Sequence, residues 1–377
     1  MQKSLGQILD NSQKNNFNSI RLCMALGVIY NHSFVLFQEN GGRDVTTYLF
    51  GFFDAGSLSV SVFFLVSGML LTQSFFKTQS RLKFILKRLL RIFPGLLICL
   101  LFTVFIIGTL NTTLSLKQYL FDRGTYRYLY NIFLNNETFF FNLPGCFTTN
   151  KLPEVVNGSL WTLPFELICY IFLYLILSGL GFFNSTKYSI FNKIFILLLL
   201  LFFGSYLLNG TYLLTRFKGL VTGYRVNLSV GNNSLMLFVF FAIGMIFYWL
   251  KEKIRLNIFY WIGLCGLLAV LHFLHMPFIQ RIVEVIVIAY GVIVWAGSRT
   301  LHRFNFKTDP SYGIYLYAWP VQQTFAHYFH LDAYVSLLFT VPVVVLLGWL
   351  SYLIIEKPAM NSANPIYNRW LKKEIAK

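Results

Sequence analysis

The chain has 377 residues, of which 56% are hydrophobic and 12% are charged, and its formal net charge at pH 7 is +17. A water-soluble protein carries about twice that fraction of charged residues. Apolar runs of about 20 residues recur along the whole chain, so we exclude a soluble fold and predict an all-α polytopic membrane protein. The cations lie between the apolar runs, which argues against nucleic acid as a partner and for the lipid bilayer.

The five cysteines do not predict a metal site or a disulfide framework. Four of them lie in apolar runs, and none has a partner at Cys-x-x-Cys or Cys/His ligand spacing. We therefore expect no metal and no permanently bound cofactor. The N-terminus lacks the pattern of a cleaved signal peptide, so the first apolar helix is expected to direct membrane insertion.

Hydropathy predicts about ten spanning helices, which cover residues 17–37, 57–76, 89–110, 159–180, 190–208, 234–250, 257–274, 279–297, 311–329 and 333–355. The segment from Lys77 to Arg91 is rich in cations and contains no acid, so we place it in the cytoplasm. Because successive spans cross the membrane in alternating directions, this assignment puts both termini and most of the Lys and Arg residues on the cytoplasmic side. We expect one transmembrane domain over residues 1–360 and a cytoplasmic tail over 361–377.

The first predicted helix carries Arg21 and His32, eleven positions apart. This spacing puts both side chains on one helix face, ~16 Å apart along the axis. An ionisable residue inside a spanning helix is costly, which favours a functional role. The alternative is an Arg21 at the headgroup boundary and a His32 that hydrogen-bonds a neighbouring helix.

The second predicted helix contains Ser67 and Gly68; the third contains Arg91 and Pro94, and Arg88 lies directly before it. A Ser-Gly pair is typical of close helix contact, although it also permits a ligand to approach the backbone. Arg88 and Arg91 share a face at the cytoplasmic end, where they suit bidentate contact with phosphate. The alternative is that they only anchor this helix end on the cytoplasmic side, as the positive-inside rule describes. Arg21 at the same depth favours an anionic ligand.

A long aromatic loop over residues 111–158 leads to the fourth predicted helix, which begins near Trp161 and carries Glu166. The loop is expected to be a lid or binding surface, or else an interfacial segment. Glu166 and His32 lie at similar depths below the outer surface, so they are expected to meet. A carboxylate beside a histidine orients the ring and raises its basicity. The alternative is a structural Glu166 bonded to a Ser or Tyr of a neighbouring helix.

The ninth predicted helix begins at Ser311 and presents Tyr312, Tyr315 and Trp319 on one face, which is more typical of packing than of chemistry. Glu356 closes the tenth helix at the cytoplasmic boundary, where it could pair with the arginines of the third. Glu284 in the eighth helix needs a partner, either in the same cavity or in Arg281.

These residues predict a cytoplasmic site for an anionic donor and a histidine base near the outer face. Coenzyme A fits, because Arg21, Arg88 and Arg91 could hold its phosphates while its long arm spans the ~16 Å to His32. His32 would then deprotonate an acceptor hydroxyl. The competing hypothesis is a permease or exporter for an anionic glycolipid or lipid-linked saccharide, with Glu166 and Glu284 as a proton relay. Inverted repeats would favour that carrier, and the sequence shows none.

Six short motifs occur along the chain in one order: Arg21 to His32, Ser67-Gly68, Arg88 to Pro94, Leu160 to Glu166, Ser311 to Leu316 and Ile355 to Pro358. In this order they resemble the acyltransferase-3 family of integral-membrane O-acyltransferases, of the stand-alone type without an esterase-like domain. The chain departs from many members at Ala318, where they carry histidine.

The resemblance implies that His32 is catalytic and that Arg21, Arg88 and Arg91 serve acyl-CoA binding or transfer. It leaves the role of Glu356 open. It also implies that acetyl-CoA is the donor, and that a glycan or lipid-linked saccharide is the acceptor, such as O-antigen, capsule or exopolysaccharide. The expected location is a bacterial plasma membrane.

Overall fold

The computed structural model describes residues 3–11, 15–38, 44–50, 53–78, 80–135, 139–179, 228–304, 306 and 308–375. These residues form helices and connecting segments, with no β-strand among them. The prediction of an all-α protein is therefore confirmed.

Ten helices of ten or more residues occur in the described part of the chain: α1 (Phe17–Phe37), α2 (Ala55–Lys77), α3 (Arg81–Phe102), α4 (Leu163–Gly179), α5 (Leu228–Trp249), α6 (Ile258–Phe273), α7 (Pro277–Gly297), α8 (Ser311–Tyr328), α9 (Ala333–Ser351) and α10 (Lys357–Ile375). Helices α1 to α9 correspond to nine of the ten predicted spans. The predicted span over 190–208 lies outside the described residues.

Predicted boundaries were wrong at α3 and α9, and α5 begins at Leu228 rather than at residue 234. Helix α3 begins at Arg81 rather than at residue 89, because the Ser80 side chain accepts a hydrogen bond from the Lys83 backbone and caps two basic turns that hydropathy does not register. At its other end α3 continues through a π turn, Thr103–Gly108, and a last α turn to Asn111. Helix α9 likewise continues through a π turn, Tyr352–Glu356, into α10, so the described part of the predicted tail is helical.

Six helical stretches among the described residues are long and apolar enough to cross a membrane: Phe17–Phe37, Ala55–Lys77, Arg81–Asn111, Gly158–Ser178, Pro277–Gly297 and Ala333–Trp370. Two shorter apolar helices, Leu235–Trp249 and Ile258–Phe273, accompany them. The multi-pass character follows from these lengths. The count of ten spans and the cytoplasmic position of both termini stay predictions.

The chain divides into two compact units. The first comprises Met1–Ile20, Val60–Ser74 and Phe165–Phe306, and the second comprises Arg21–Ser59, Phe75–Pro164 and Lys307–Lys377. The single domain predicted over residues 1–360 stays a prediction.

Close helix contacts through glycine organise the first unit. A Cβ atom on Gly68 of α2 would overlap the Phe241 carbonyl oxygen of α5 and lie 3.2 Å from Gly244 Cα. Gly244 is equally restricted by the Leu65 carbonyl. Such small-residue pairs let two backbones approach closely, which is the packing role that the Ser67-Gly68 motif suggests.

Helix α8 is the buried centre of the second unit. Every residue from Ser311 to Gln323 is buried, including the polar ones. Helix α9 packs closely against it, because a Cβ atom on Gly313 would lie only 2.8 Å from the Gly348 carbonyl oxygen. A helix buried on all sides must find partners for its polar side chains within the protein, and several polar side chains of α8 bond to the segments that surround it.

One of these segments, residues 147–157, is called the strap from here on. Gln323 of α8 donates hydrogen bonds from Nε2 to the carbonyls of Leu152 and Val155, both at 2.9 Å. The Asn150 amide donates to Gln323 Oε1 at 2.9 Å, and Asn150 Oδ1 bonds His327 Nδ1 at 2.9 Å. The strap is thus fixed on one face of α8 by side chains at four-residue spacing.

Candidate active site

Four charged residues from four parts of the second unit form what we call the arginine–carboxylate cluster. Arg21 of α1 places Nη1 2.5 Å from Asp309 Oδ2. Arg91 of α3 reaches the same Asp309 oxygen with Nη2 at 3.2 Å and Glu356 Oε2 with Nη1 at 3.1 Å. Asp309 lies just before α8, and Glu356 ends the π turn after α9. The cluster therefore joins helices that are distant in sequence.

Hydroxyl groups hold the two carboxylates in place. Ser311 Oγ donates to Asp309 Oδ1 at 2.5 Å, and the Ser311 backbone N–H donates to the same oxygen at 3.3 Å. Ser351 Oγ donates to Glu356 Oε1 at 3.1 Å. Each carboxylate thus has one oxygen on arginine and the other on serine, the orientation that a charge-assisted pair requires.

Tyr312 and two glycines complete the support. The Tyr312 hydroxyl donates to the Ile92 carbonyl at 2.9 Å, and the Arg91 guanidinium lies 5.5 Å from the centre of the Tyr312 ring. A Cβ atom on Gly313 would lie 3.0 Å from Glu356 Oε1, and one on Gly95 would lie 3.0 Å from Tyr312 Cε1. Only glycine leaves room for this packing.

The cluster is only partly shielded from water. Side-chain exposure is 22% for Arg21, 14% for Asp309, 12% for Arg91 and 0% for Glu356. Burial raises the pKa of Asp309, but the charges of Arg21 and Arg91 and the Ser311 hydrogen bonds lower it further, so the pKa lies below its ordinary value. Asp309 is therefore ionised at neutral pH.

Asp309 is not among the site residues that the sequence predicts, because it lies in a loop outside the predicted spans, where an acid carries no cost that demands a partner. Its position directly before Pro310 and Ser311 offered a signal, because an acid just ahead of a helix is a common start pattern.

Arg88, which was predicted to share the anion site, lies one turn before Arg91 on α3, with its guanidinium 5.7 Å from the centre of the Phe84 ring.

His32 lies on α1 with its ring edge against Trp319 of α8. The two ring centroids are 4.6 Å apart and the planes cross at 76°. His32 Nδ1 is shielded from solvent, and no described residue of its own unit lies within hydrogen-bond distance of it. A buried imidazole nitrogen without a partner is unusual and marks a position where a ligand group could bind.

Tyr315 and Trp319 of α8 also hold the segment that leads into the fourth predicted helix. Tyr315 donates to the Ser159 carbonyl at 2.6 Å, and Trp319 Nε1 donates to the Val155 carbonyl at 3.0 Å. A Cβ atom on Gly158 would lie 2.8 Å from Trp319 Cζ2. Tyr315 and Trp319 therefore fix the entrance to the helical segment that carries Trp161, which is half-buried.

Glu166 lies in the first turn of α4 and accepts a hydrogen bond from Tyr170, one turn later on the same helix. Glu166 belongs to the first unit and His32 to the second, so their predicted meeting stays a prediction.

Glu284, also in the first unit, is buried on α7. Gln280 donates to its Oε1 at 3.4 Å, and Oε2 accepts no hydrogen bond from the described residues.

Comparisons with known proteins find a matching family pattern and related proteins. The sequence pattern of a family described as an acyltransferase domain matches residues 14–356. A protein of Shigella phage Sf6, named O-acetyl transferase, is 27% identical over 94% of this chain and 98% of its own. Nodulation protein 10 of Rhizobium leguminosarum bv. viciae is 30% identical over 44% of each chain. No solved structure matches the chain.

Proposed function

Because the chain belongs to the acyltransferase-3 family, we propose that it transfers an acetyl group from cytoplasmic acetyl-CoA to a hydroxyl of an extracytoplasmic glycan. O-antigen, capsule and exopolysaccharide are acceptors of this kind. The predicted enzyme class, a membrane O-acyltransferase, is confirmed by the family match. The near full-length similarity to an O-acetyl transferase supports acetyl as the transferred group.

The observation that carries the proposal is that one helix joins two different chemical environments. Arg21 of α1 belongs to the arginine–carboxylate cluster, whereas His32 of the same helix contacts Trp319 and has a shielded Nδ1. Eleven residues of helix separate them by ~16 Å. The pantetheine arm of acetyl-CoA is long enough to extend from an anion site at Arg21 to a base at His32.

In the donor site, Arg21 and Arg91 supply the positive charge for the phosphates of coenzyme A, with Arg88 close by on α3. Arginine suits this role because its planar guanidinium donates several parallel hydrogen bonds to phosphate oxygens. Glu356 holds Arg91 from the protein side, since it binds Nη1 while Nη2 points to Asp309. In this proposal, Glu356 positions Arg91.

In the transfer step, His32 takes the proton of the acceptor hydroxyl as the oxygen attacks the thioester carbonyl. The new C–O bond forms, the C–S bond breaks, and the electron pair leaves with sulfur. The proton on the imidazole then passes to the thiolate, which yields an acetyl ester and free coenzyme A. The Trp319 ring packs against the His32 ring and thereby limits its rotation.

The test compares acetyl esters on the surface polysaccharide of bacteria that carry wild type, His32→Ala, His330→Ala or no copy. His330 is exposed and follows α8, so it is a matched histidine control. We expect esters with wild type and His330→Ala and none in the other two strains, with all variants inserted at equal levels. Full acetylation with His32→Ala would refute the proposal that His32 is the base. Polysaccharide that reaches the surface only with an active copy, at unchanged acetylation per sugar, would support the exporter.

A further inference from the structure

Asp309 occupies the position that a ligand anion would take between the two arginines. A single oxygen, Oδ2, contacts Arg21 Nη1 at 2.5 Å and Arg91 Nη2 at 3.2 Å. Two guanidinium groups that converge on one oxygen form the arrangement by which proteins commonly bind phosphate. The same arrangement is satisfied here by a side chain of the protein itself.

The two carboxylates already pair with the guanidinium groups of the cluster, which affects any anion that approaches it. Asp309 contacts both Arg21 and Arg91, and Glu356 contacts Arg91. A phosphate that entered while Asp309 stayed in place would meet the repulsion of its carboxylate and guanidinium groups that are already paired. Departure of a carboxylate therefore makes the binding of an anionic donor more favourable.

Asp309 is the carboxylate that is free to leave. It lies in the segment before α8 and is 14% exposed, and among the described residues its other oxygen is held by Ser311. Glu356, by contrast, is 0% exposed, lies inside a continuous helix and is enclosed by Gly95 and Gly313. Removal of a charge from a fully buried position is far more disruptive than from a partly exposed one.

We propose that Asp309 is a resident counter-anion that a phosphate of the donor displaces from Arg21 and Arg91. This inference rests on the proposed function, since it assumes an anionic donor. A terminal phosphate carries about −1.5 to −2 charges at neutral pH, more than one carboxylate, so it can replace Asp309 whereas a simple carboxylate cannot. Asp309 thereby selects phosphate-bearing donors and keeps the arginines paired when no donor is bound.

The test measures equilibrium binding of coenzyme A and of pantetheine, which lacks phosphate, to the full-length protein in lipid nanodiscs. Asp309→Asn removes the charge and keeps the shape. We expect it to lower the Kd for coenzyme A about tenfold and to leave pantetheine binding unchanged. Glu252→Gln is the matched control, because it removes one acid that is 68% exposed and lies in the other unit, and it should change neither Kd.

If Asp309→Asn does not fold, a second variant tests the same inference. Ser311→Ala leaves the charge of Asp309 but removes the hydroxyl that holds its Oδ1, so we expect a smaller decrease, about twofold, in the Kd for coenzyme A. An unchanged or raised Kd in the folded variants, or equal tightening for pantetheine, would overturn the inference. A wild type that neither binds coenzyme A nor transfers acetyl would instead refute the proposed function.

Discussion

Arg91 makes contacts that lysine could not reproduce. Its two terminal nitrogens bind two different carboxylates, Asp309 and Glu356, and its plane lies over the Tyr312 ring. A lysine ammonium is a single point of charge on a flexible stem and cannot hold both acids in this geometry. The identity of the cation therefore matters as much as its charge.

We expect Arg91→Lys to reduce acetyl transfer at least about tenfold, because one carboxylate of the cluster loses its partner. Initial rates with radiolabelled acetyl-CoA in proteoliposomes would measure this. Arg81→Lys, an exposed position at the start of the same helix, is the control and should retain wild-type rates. Equal rates for Arg91→Lys and wild type would show that only the charge at position 91 is required.

Asp44 is a buried acid that bonds to α1, and its role is structural. Its Oδ2 accepts hydrogen bonds from Asn31 Nδ2 at 3.1 Å and from the Ala55 backbone at 2.8 Å. Its Oδ1 accepts from the Thr46 hydroxyl and from the Thr47 backbone and hydroxyl. Asp44 thereby ties the residue next to His32 to the first residue of α2.

Asp44 makes the stability of the protein depend on pH in one direction. Burial raises its pKa, but the hydrogen bonds lower it further, to below the ordinary value. A group whose pKa is lower in the folded state stabilises the fold above its unfolded pKa of ~3.9, and this contribution is lost as pH falls through the folded pKa.

We expect Asp44→Asn to lower the free energy of unfolding at pH 7 by about 2 kcal/mol, and to make stability less dependent on pH below about 4. Thermal unfolding in detergent between pH 3 and pH 7 would measure both effects. Asp122→Asn, at an exposed position, should leave the wild-type curve unchanged. A wild-type protein that gains stability as pH falls from 5 to 3 would contradict the assignment.

At the scale of elements, α8 and the strap form one unit of hydrogen bonding. Gln323 is fully buried, and its amide donates twice to strap carbonyls and accepts once from Asn150. Within the strap, Phe147 and Glu154 adopt φ angles of 56° and 63°, which are unfavourable for residues other than glycine. The hydrogen bonds to α8 hold these conformations in place.

We expect Gln323→Leu to loosen the strap, because the Leu152 and Val155 carbonyls and the Asn150 amide each lose a hydrogen bond, although Val155 keeps Trp319 Nε1 and Asn150 keeps the backbone carbonyl of residue 323. Hydrogen exchange measured by mass spectrometry should accelerate at least about tenfold in peptides that cover 147–157. Peptides of α9 provide an internal reference and should exchange at wild-type rates. Uniform acceleration throughout the second unit would indicate global destabilisation instead.

Sequence patterns located the helices better than their ends. Hydropathy found α1 to α9, since length and composition suffice to recognise a spanning helix. It placed the start of α3 too late because the helix continues into basic turns, and it stopped α9 at residue 355 because a π turn carries the chain directly into α10. Local capping and π turns do not change the hydropathy averaged over 20 residues, so that average cannot locate them.

At the scale of the whole molecule, the pairing of distant residues could be predicted only where a costly charge demanded it. Glu356 was expected to meet the arginines of the third helix, and it contacts Arg91. Asp309 could not be found in this way, because a loop acid carries no cost that requires a partner. The contact between His32 and Trp319 depends on the rotation of two helices, which spacing along one helix does not determine.

The π turn at Tyr352–Glu356 makes the number of residues in α9 as important as their identity. A π turn accommodates one more residue than an α-helical turn, so deletion of one residue there would restore a regular helix. A deletion in the regular part of α9 would instead rotate everything beyond it by ~100°, and Glu356 would point away from Arg91. Leu353 and Ile354, within the π turn, are exposed by 42% and 68%, so substitution at either position is tolerable. The π turn is therefore the part of α9 that can lose a residue and still bring Glu356 to Arg91.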